Sequence, residues 1–279
     1  MRAENFGCHW IKAEFPFPCE IHWCHPQSRL EGDRYKVFMD FSEPSTSCID
    51  VSFLRQISPG FDLILTKHQA LADTLPNAEL MLFGDSLIHP WVPENKDFSA
   101  SFLCTKKLLD LPGYRLRYEL WDKQDSISIP KAFYSSCREP IDASRMMPTD
   151  SKEHIFKSMF SVTLENTAET NYFTEKIIDC FLTYTIPLYW GAPNIDQYFD
   201  MDGILVFSSI DELIEMANRL TVQDYWERLG AIAANYKTAL SYVGLNRRLE
   251  LAINNAFHQK KAEMVTVRNN VDQNNLYVF

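Results

Sequence analysis

Apolar and polar positions along this chain change period repeatedly, and the changes mark out short strands and longer helices. Phe160–Leu164 (FSVTL) is a compact apolar run. A polar loop, ENTAETNYF, follows it, then the amphipathic segment TEKIIDCFLTY, then a second apolar run, IPLYW, closed by Gly191. The two flanking runs are too short for helices, whereas the segment between them repeats its apolar positions at helical spacing. Strand, loop, helix and strand in that order predict a parallel crossover unit.

The alternation extends in both directions. Upstream come a strand at YKVFMDF (Tyr35–Phe41), a helix at VSFLRQI, a strand at FDLILT, a helix at HQALADTL and a strand at AELMLFG, which Gly84 closes. An alternating strand at Asp97–Cys104 follows, then Gly113–Arg117 leading into the helical run YELWDKQ, then a strand at KAFYSS. Beyond Gly191 the pattern predicts a turn at Ala192–Asp196, a strand at Ile204–Phe207, and a helix IDELIEMANRL capped by Ser209. Two more helices are expected, at Asp224–Ala239 and Leu245–Lys261. Alternation of this kind implies doubly wound parallel sheets. Pro16, Pro18 and Pro26 break the first thirty residues, where no long element is expected, and the polar tail Arg268–Phe279 is expected to be loosely ordered. A chain of 279 residues suits two domains. The segment Ser86–Asp97, with Pro90, Trp91 and Pro93, is the expected linker, so the domains would be 1–96 and 97–279.

Charge and cysteine content exclude several classes. The net charge of −10 and pI near 5.2 argue against a general nucleic-acid binder, which needs a basic surface. No apolar run reaches the roughly 18 residues of a membrane span, and Met1–Ile11 lacks a signal-peptide core, so no transmembrane segment is expected. Seven cysteines, an odd number spread through the chain, read as free thiols. Cys19, His22, Cys24 and His25, with Cys8 and His9 upstream, are zinc-type ligands, yet their spacings match neither a finger nor a ribbon, and no metal is expected there. Asp200-Met201-Asp202 has an Asp-x-Asp spacing known from metal sites, but it lies in a turn before a strand.

Ligands of parallel sheets gather at the carboxyl ends of the strands, which points to the loop ENTAETNYF. Thr174 is placed to cap the helix, and Glu175 and Lys176 then occupy its first turn, where free N–H groups attract an anion. A lysine there opposes the dipole, and one reason for it is a phosphate between the ammonium and the helix end. A neighbouring carboxylate suits the two hydroxyls of a ribose. Taken alone, the pair also fits a glutamate that favours the dipole beside a solvated lysine.

The larger pattern resembles the donor-binding signature of the fucosyltransferases of glycosyltransferase family 10. It stands here as Leu164-Glu165-Asn166-Thr167, then Tyr172-Phe173-Thr174-Glu175-Lys176, then Ile186-Pro187-Leu188-Tyr189-Trp190-Gly191. Several polar residues at fixed offsets are far more specific than a lone glycine loop. The resemblance implies a GT-B type α/β fold: two Rossmann-like domains facing a central cleft, residues 1–96 binding the acceptor and 97–279 the GDP-sugar donor. It implies inverting transfer of fucose from GDP-fucose to a glycan hydroxyl, with no metal and no cofactor beyond the donor substrate. Asn166, Tyr172, Thr174, Glu175 and Lys176 would face the nucleotide sugar, the glutamate on the ribose and the lysine on the diphosphate. The family also places an arginine on the diphosphate, which fits Arg117, with Arg115 as the alternative. Its general base follows a strand in an order Glu-Ser-Pro; here Ser42-Glu43-Pro44 departs from that order, with Glu43 the counterpart.

Two other readings stay open: a related transferase using a different nucleotide sugar, and a non-catalytic nucleotide-sugar or glycan-binding protein. The expected partners are a nucleotide sugar and a glycan acceptor, with no nucleic acid. The expected compartment is the cytoplasm, or the chain is a soluble catalytic domain of an anchored enzyme. Acceptor identity, linkage and oligomeric state leave no mark in the sequence.

Overall fold

A computed structural model describes residues 4–6, 11–24, 33–40, 50–90, 95–107, 109–149 and 151–275. The described residues form two compact units, one from residues 4–40, 50–81 and 244–275, the other from residues 82–243.

The first unit carries a five-stranded sheet of β1 (Glu4–Phe6), β2 (Cys19–Trp23), β3 (Tyr35–Asp40), β4 (Leu63–Thr66) and β5 (Ala78–Leu80). Every neighbouring pair is parallel and the strands lie side by side in chain order. Helix α1 (Val51–Ile57) is capped by Asp50, whose carboxylate accepts from the Ser52 amide at 3.0 Å. It buries Leu54 with Phe38, Phe61, Ile64, Leu71 and Ala78 in one core. Helix α2 is only Gln69–Ala72, shorter than the apolar pattern suggested.

Several expectations are corrected in this unit. The first thirty residues, where no long element was expected, hold the short strands β1 and β2, neither of them assigned from the sequence. Pro16 and Pro18 precede β2 rather than interrupt it, and a proline ahead of a strand removes no ladder bond. Polar Glu20 and His22 at buried positions obscure the apolar signal of β2. Strand β5 stops at Leu80 instead of running to Gly84: Met81 donates one more bond, to the Thr66 carbonyl at 2.8 Å. The chain then leaves the sheet, and Gly84 already belongs to the second unit, where it sits against Phe173 and Tyr242.

The division expected between residues 96 and 97 also differs from the compact units. Helix α7 (Leu245–Asn275) follows the second sheet in sequence but belongs to the first unit. There Phe257 stacks on Phe17, with ring centroids 3.6 Å apart, Lys260 pairs with Asp62 at 2.5 Å, and Asn246 accepts from the Lys12 amide at 2.9 Å. The helix is longer than expected and takes in much of the tail that was read as loosely ordered.

The second unit holds β6 (Asp97–Cys104), α3 (Pro112–Lys123), β7 (Lys131–Ser135), β8 (Ser158–Leu164), α4 (Glu175–Leu182), β9 (Ile186–Trp190), β10 (Leu205–Val206), α5 (Ile210–Arg219) and α6 (Val222–Leu240). All pairs are again parallel, but the order is β10-β9-β8-β6-β7, so the direction of progression reverses between β6 and β8. Such a reversal opens a crevice at the carboxyl ends of the two strands. Strand β8 is buried along its whole length, as a central parallel strand should be. The Asp-x-Asp turn is structural: Asp200 accepts from the Asp202 amide at 3.0 Å.

Candidate active site

Glu165 is the first residue past β8, and the site is assembled around its carboxylate. Its amide continues the ladder by donating to the Trp190 carbonyl at 2.9 Å, while its side chain is fully buried. The carboxylate accepts from the Thr174 amide at 2.8 Å and from the Thr174 hydroxyl at 2.9 Å, and it pairs with the Lys176 ammonium at 3.3 Å. Thr174 caps α4 as the sequence predicts, its hydroxyl accepting from the Lys176 amide at 3.4 Å. The carboxylate thus fixes the start of α4 against the end of β8.

Two glycines make room for this contact. A Cβ on Gly113 would lie 1.8 Å from the Glu165 carbonyl oxygen, and the Gly113 amide instead donates to the Asn166 carbonyl at 3.0 Å. A Cβ on Gly191 would come within 2.7 Å of Glu165 Cγ and 2.2 Å of the Tyr189 hydroxyl. Only glycine allows backbone this close. Between Glu165 and α4, Asn171 adopts a positive φ of 64° and is held by Asn194 and Tyr198. That turn buries Tyr172 and Phe173.

Charge alternates across the pocket. Lys176 lies 3.3 Å from Glu165 and 3.7 Å from Glu175, and Glu175 lies 3.2 Å from Lys152. Burial alone would raise the Glu175 carboxyl. The ammonium groups of Lys176 and Lys152 and hydrogen bonds from Lys152 and Thr174 outweigh it and hold the pKa at about 2. Glu175 is therefore ionised at neutral pH, an acceptor suited to hydroxyl groups. Lys176 already has carboxylate partners, which accounts for its place in the first turn of a helix independently of any anion.

Arg117, in the second turn of α3, is buried, donates to the Leu164 carbonyl, and stands 4.6 Å from the centroid of the Tyr114 ring. The alternative, Arg115, is exposed and pairs with Asp110 at 2.6 Å. Arg117, Asn166, Tyr172, Thr174, Glu175 and Lys176 all line one cavity of about 390 Å³, with Phe83, Phe102, Tyr114, Lys152, Ile155, Phe156 and Asp179 among its other walls. Buried Asn166 Oδ1, Thr167 Oγ1 and Asp179 Oδ2 have no hydrogen-bond partner among the described residues. Orphaned acceptors beside a cavity are what a bound polar ligand would satisfy.

Glu43 lies outside the described residues. At the carboxyl ends of β3 and β4, buried Asp40 accepts from the Thr66 hydroxyl at 3.4 Å and lies 3.3 Å from His68 Nε2. Of the cysteine and histidine cluster, Cys19 and Cys24 are buried, and His22 lies 3.2 Å from Glu20. Burial, then the charges of Glu20 and Asp62, push the Cys19 thiol up to about 12, so it is no ready thiolate ligand. Cys8, His9 and His25 lie outside the described residues. No three His, Cys, Asp or Glu side chains among the described residues are grouped to hold a metal.

Sequence reasoning assigned no role to Glu165, Lys152 or Asp179. Glu165 and Asp179 carried a signal: each is a carboxylate in an otherwise apolar surrounding, one ending a buried strand, the other on the buried face of α4. Such groups are retained where something pairs with them. Lys152 carried none, since it reaches Glu175 from the start of a short 3-10 helix 23 residues earlier in the chain.

Fold and site together define a parallel α/β protein with a pocket of paired charges at a strand-order reversal. No family model matches the chain. It is 36% identical over 66 residues to the alpha-(1,3)-fucosyltransferase of Helicobacter pylori, a match covering 23% of this chain and 14% of that relative. A crystal structure of an alpha1,3-fucosyltransferase with GDP-fucose superposes with a TM-score of 0.52 and 18% identity, covering 80% of each chain. The crystal structure of that activity with GDP gives a TM-score of 0.52 at 18% identity, covering 81% of this chain and 79% of the other. The chain is thus similar to fucosyltransferases over a short stretch of sequence and in fold. Among the described residues no helix is long and apolar enough to cross a membrane.

Proposed function

We propose that this protein is an inverting glycosyltransferase that moves fucose from GDP-fucose to a glycan hydroxyl. The observation that carries the reading is the convergence of Arg117, Asn166, Tyr172, Thr174, Glu175 and Lys176 on one cavity at the reversal between β6 and β8. The likeness to fucosyltransferases, one of them crystallised with GDP-fucose, supports the same choice of donor.

In this reading residues 97–243 bind the donor and the first unit binds the acceptor. The diphosphate lies against the start of α4, between Arg117 and Lys176. Arginine suits the task because its planar fork pairs with phosphate oxygens. Ionised Glu175, held by Lys152, accepts hydrogen bonds from the ribose hydroxyls. The acceptor oxygen attacks the anomeric carbon as Glu43 takes its proton, the bond from that carbon to the β-phosphate oxygen breaks, and GDP leaves with the electron pair. Charge grows on the departing diphosphate, so Arg117, Lys176 and the free N–H groups of α4 stabilise the transition state more than the ground state. These cationic groups do the work a metal does elsewhere, and no metal is called for.

Calorimetric titration with GDP, GDP-fucose, GDP-mannose and UDP-glucose, with and without added divalent cation, tests the donor assignment. Binding of GDP and GDP-fucose but not UDP-glucose is expected, independent of the cation. A chain that binds no guanine nucleotide is not a fucosyltransferase of this kind. One that binds GDP-fucose yet transfers fucose to no acceptor in a glycan panel is a binding protein. A Glu43→Gln variant is expected to keep donor affinity and lose transfer; full activity in that variant would place the base elsewhere.

A further inference from the structure

We propose that Asp179 reads the guanine base of the nucleotide, an assignment that rests on the donor-site reading above. Asp179 is fully buried in α4 and lines the same cavity. Its Oδ1 is occupied: the Ser86 hydroxyl donates to it at 2.8 Å and the Leu87 amide at 3.2 Å. Its Oδ2 is buried and has no partner among the described residues. The two donors set the orientation of the carboxylate and leave one oxygen, with two lone-pair sites, unused.

Position along the helix identifies what that oxygen serves. Diphosphate, ribose and base follow one another in a nucleotide. Along α4 the free N–H groups and Lys176 stand at the start, Glu175 stands beside them, and Asp179 is four residues further on. Residues at that spacing share a helix face, and the helix rises about 6 Å between them. With the diphosphate at the helix start and the ribose on Glu175, the base comes to rest one turn deeper, against Asp179. Phe83, Ile155 and Phe156 line the cavity with it and supply apolar walls for a flat heteroaromatic ring.

The chemistry selects the base. Guanine presents two adjacent donors on its pairing edge, N1–H and the 2-amino group, and an acceptor-only carboxylate oxygen receives both. Adenine and uracil set ring or carbonyl acceptors beside their donors, and a carboxylate repels these. Burial pushes the Asp179 carboxyl up to about 7, against the opposing pull of Lys152 and the Ser86 hydrogen bond and with a contribution from Glu175 in the same direction as burial. The group bears a desolvation penalty that its partners in the protein offset only in part, as expected of a side chain kept for a ligand.

Titration with GDP, IDP and XDP tests this, because inosine lacks the 2-amino group and xanthine carries a carbonyl in its place. The intact protein is expected to bind GDP about ten- to a hundred-fold more tightly than IDP, the range for one hydrogen bond to a charged group. In Asp179→Asn the amide oxygen keeps the bonds from Ser86 and Leu87 and the amide nitrogen becomes a donor. GDP affinity should then fall by a similar factor, while XDP gains on GDP. Equal affinity of the intact protein for GDP and IDP, or an unchanged GDP to XDP ratio in the variant, overturns the assignment. If those nucleotides bind alike and Lys176→Ala weakens them all, the donor site stands and only the guanine reading falls. If no nucleoside diphosphate binds, both readings fall.

Discussion

The two parallel sheets of this chain order their strands differently, and they treat buried polar groups differently. In the first, β1 to β5 lie in chain order. Polar groups at the ends of β3 and β4 satisfy one another there, Asp40 with Thr66 and His68. In the second, progression reverses between β6 and β8, and the connections after those strands diverge. At the divergence lies a cavity whose polar walls include oxygens with no protein partner among the described residues. Among the described residues, one sheet end pairs its buried polar side chains with one another, and the other leaves buried oxygens unpaired beside a cavity.

The sharpest test of that contrast removes Glu165. Glu165→Ala leaves the Thr174 amide and the Lys176 ammonium without their shared acceptor. A loss of about 3–5 kcal/mol in urea unfolding is expected, the range for breaking a buried charged pair. Loss of nucleotide binding should accompany it. In the first sheet, His68→Ala removes a partly exposed ring and should cost about 1 kcal/mol or less with GDP affinity unchanged. A His68→Ala variant that abolished GDP binding would break the comparison.

Asp179 carries a pH signature. Its folded pKa, about 7, is raised above the usual 3.8, so its contribution to stability is full below about 3.8 and is lost as pH rises through 7. Asp179→Asn removes the penalty. Urea unfolding should find the variant more stable than the parent by up to about 4 kcal/mol at pH 8 and little changed near pH 4, since each tenfold change in an acid dissociation constant is worth about 1.4 kcal/mol. Gain of stability with loss of guanine discrimination is the behaviour of a ligand-directed group. Glu175 has the opposite sign: held at about 2, it stabilises above its ordinary value near 4.5, and that contribution disappears as pH falls through 2.

Smaller effects sharpen the picture. Gly113→Ala must push the Glu165 carbonyl away, and a cost of about 1–3 kcal/mol with weakened nucleotide binding is expected by the same two measurements. Smallest of all, Arg115→Ala should change stability by about 0.5 kcal/mol at most and leave GDP affinity intact, whereas Arg117→Ala should weaken it.

Much of the second unit was legible before the structure. Strand β6, the crossover β8-α4-β9 and the Thr174 cap depend on residues close in sequence, and their apolar periods are strong. Strand β2 was not legible, because Glu20 and His22 sit in buried positions and satisfy each other there; β1, at three residues, is too short to show a period. Glu165 stood in the recognised motif without a role, since its role is to accept from Thr174 and Lys176 across a loop.

By itself the sequence determined the alternation of strands and helices, the helix start at Thr174 and the placing of Glu175 and Lys176 beside it, because these follow from the periodicity and capping chemistry of neighbouring residues. Tertiary structure alone decided that β6 lies against β8, that Arg117 reaches the Leu164 carbonyl, that Ser86 and Leu87 orient Asp179, and that α7 returns to the first unit. Those choices bring together residues far apart in the chain. They follow from how whole elements bury their apolar faces against one another, and no local pattern encodes that partner choice.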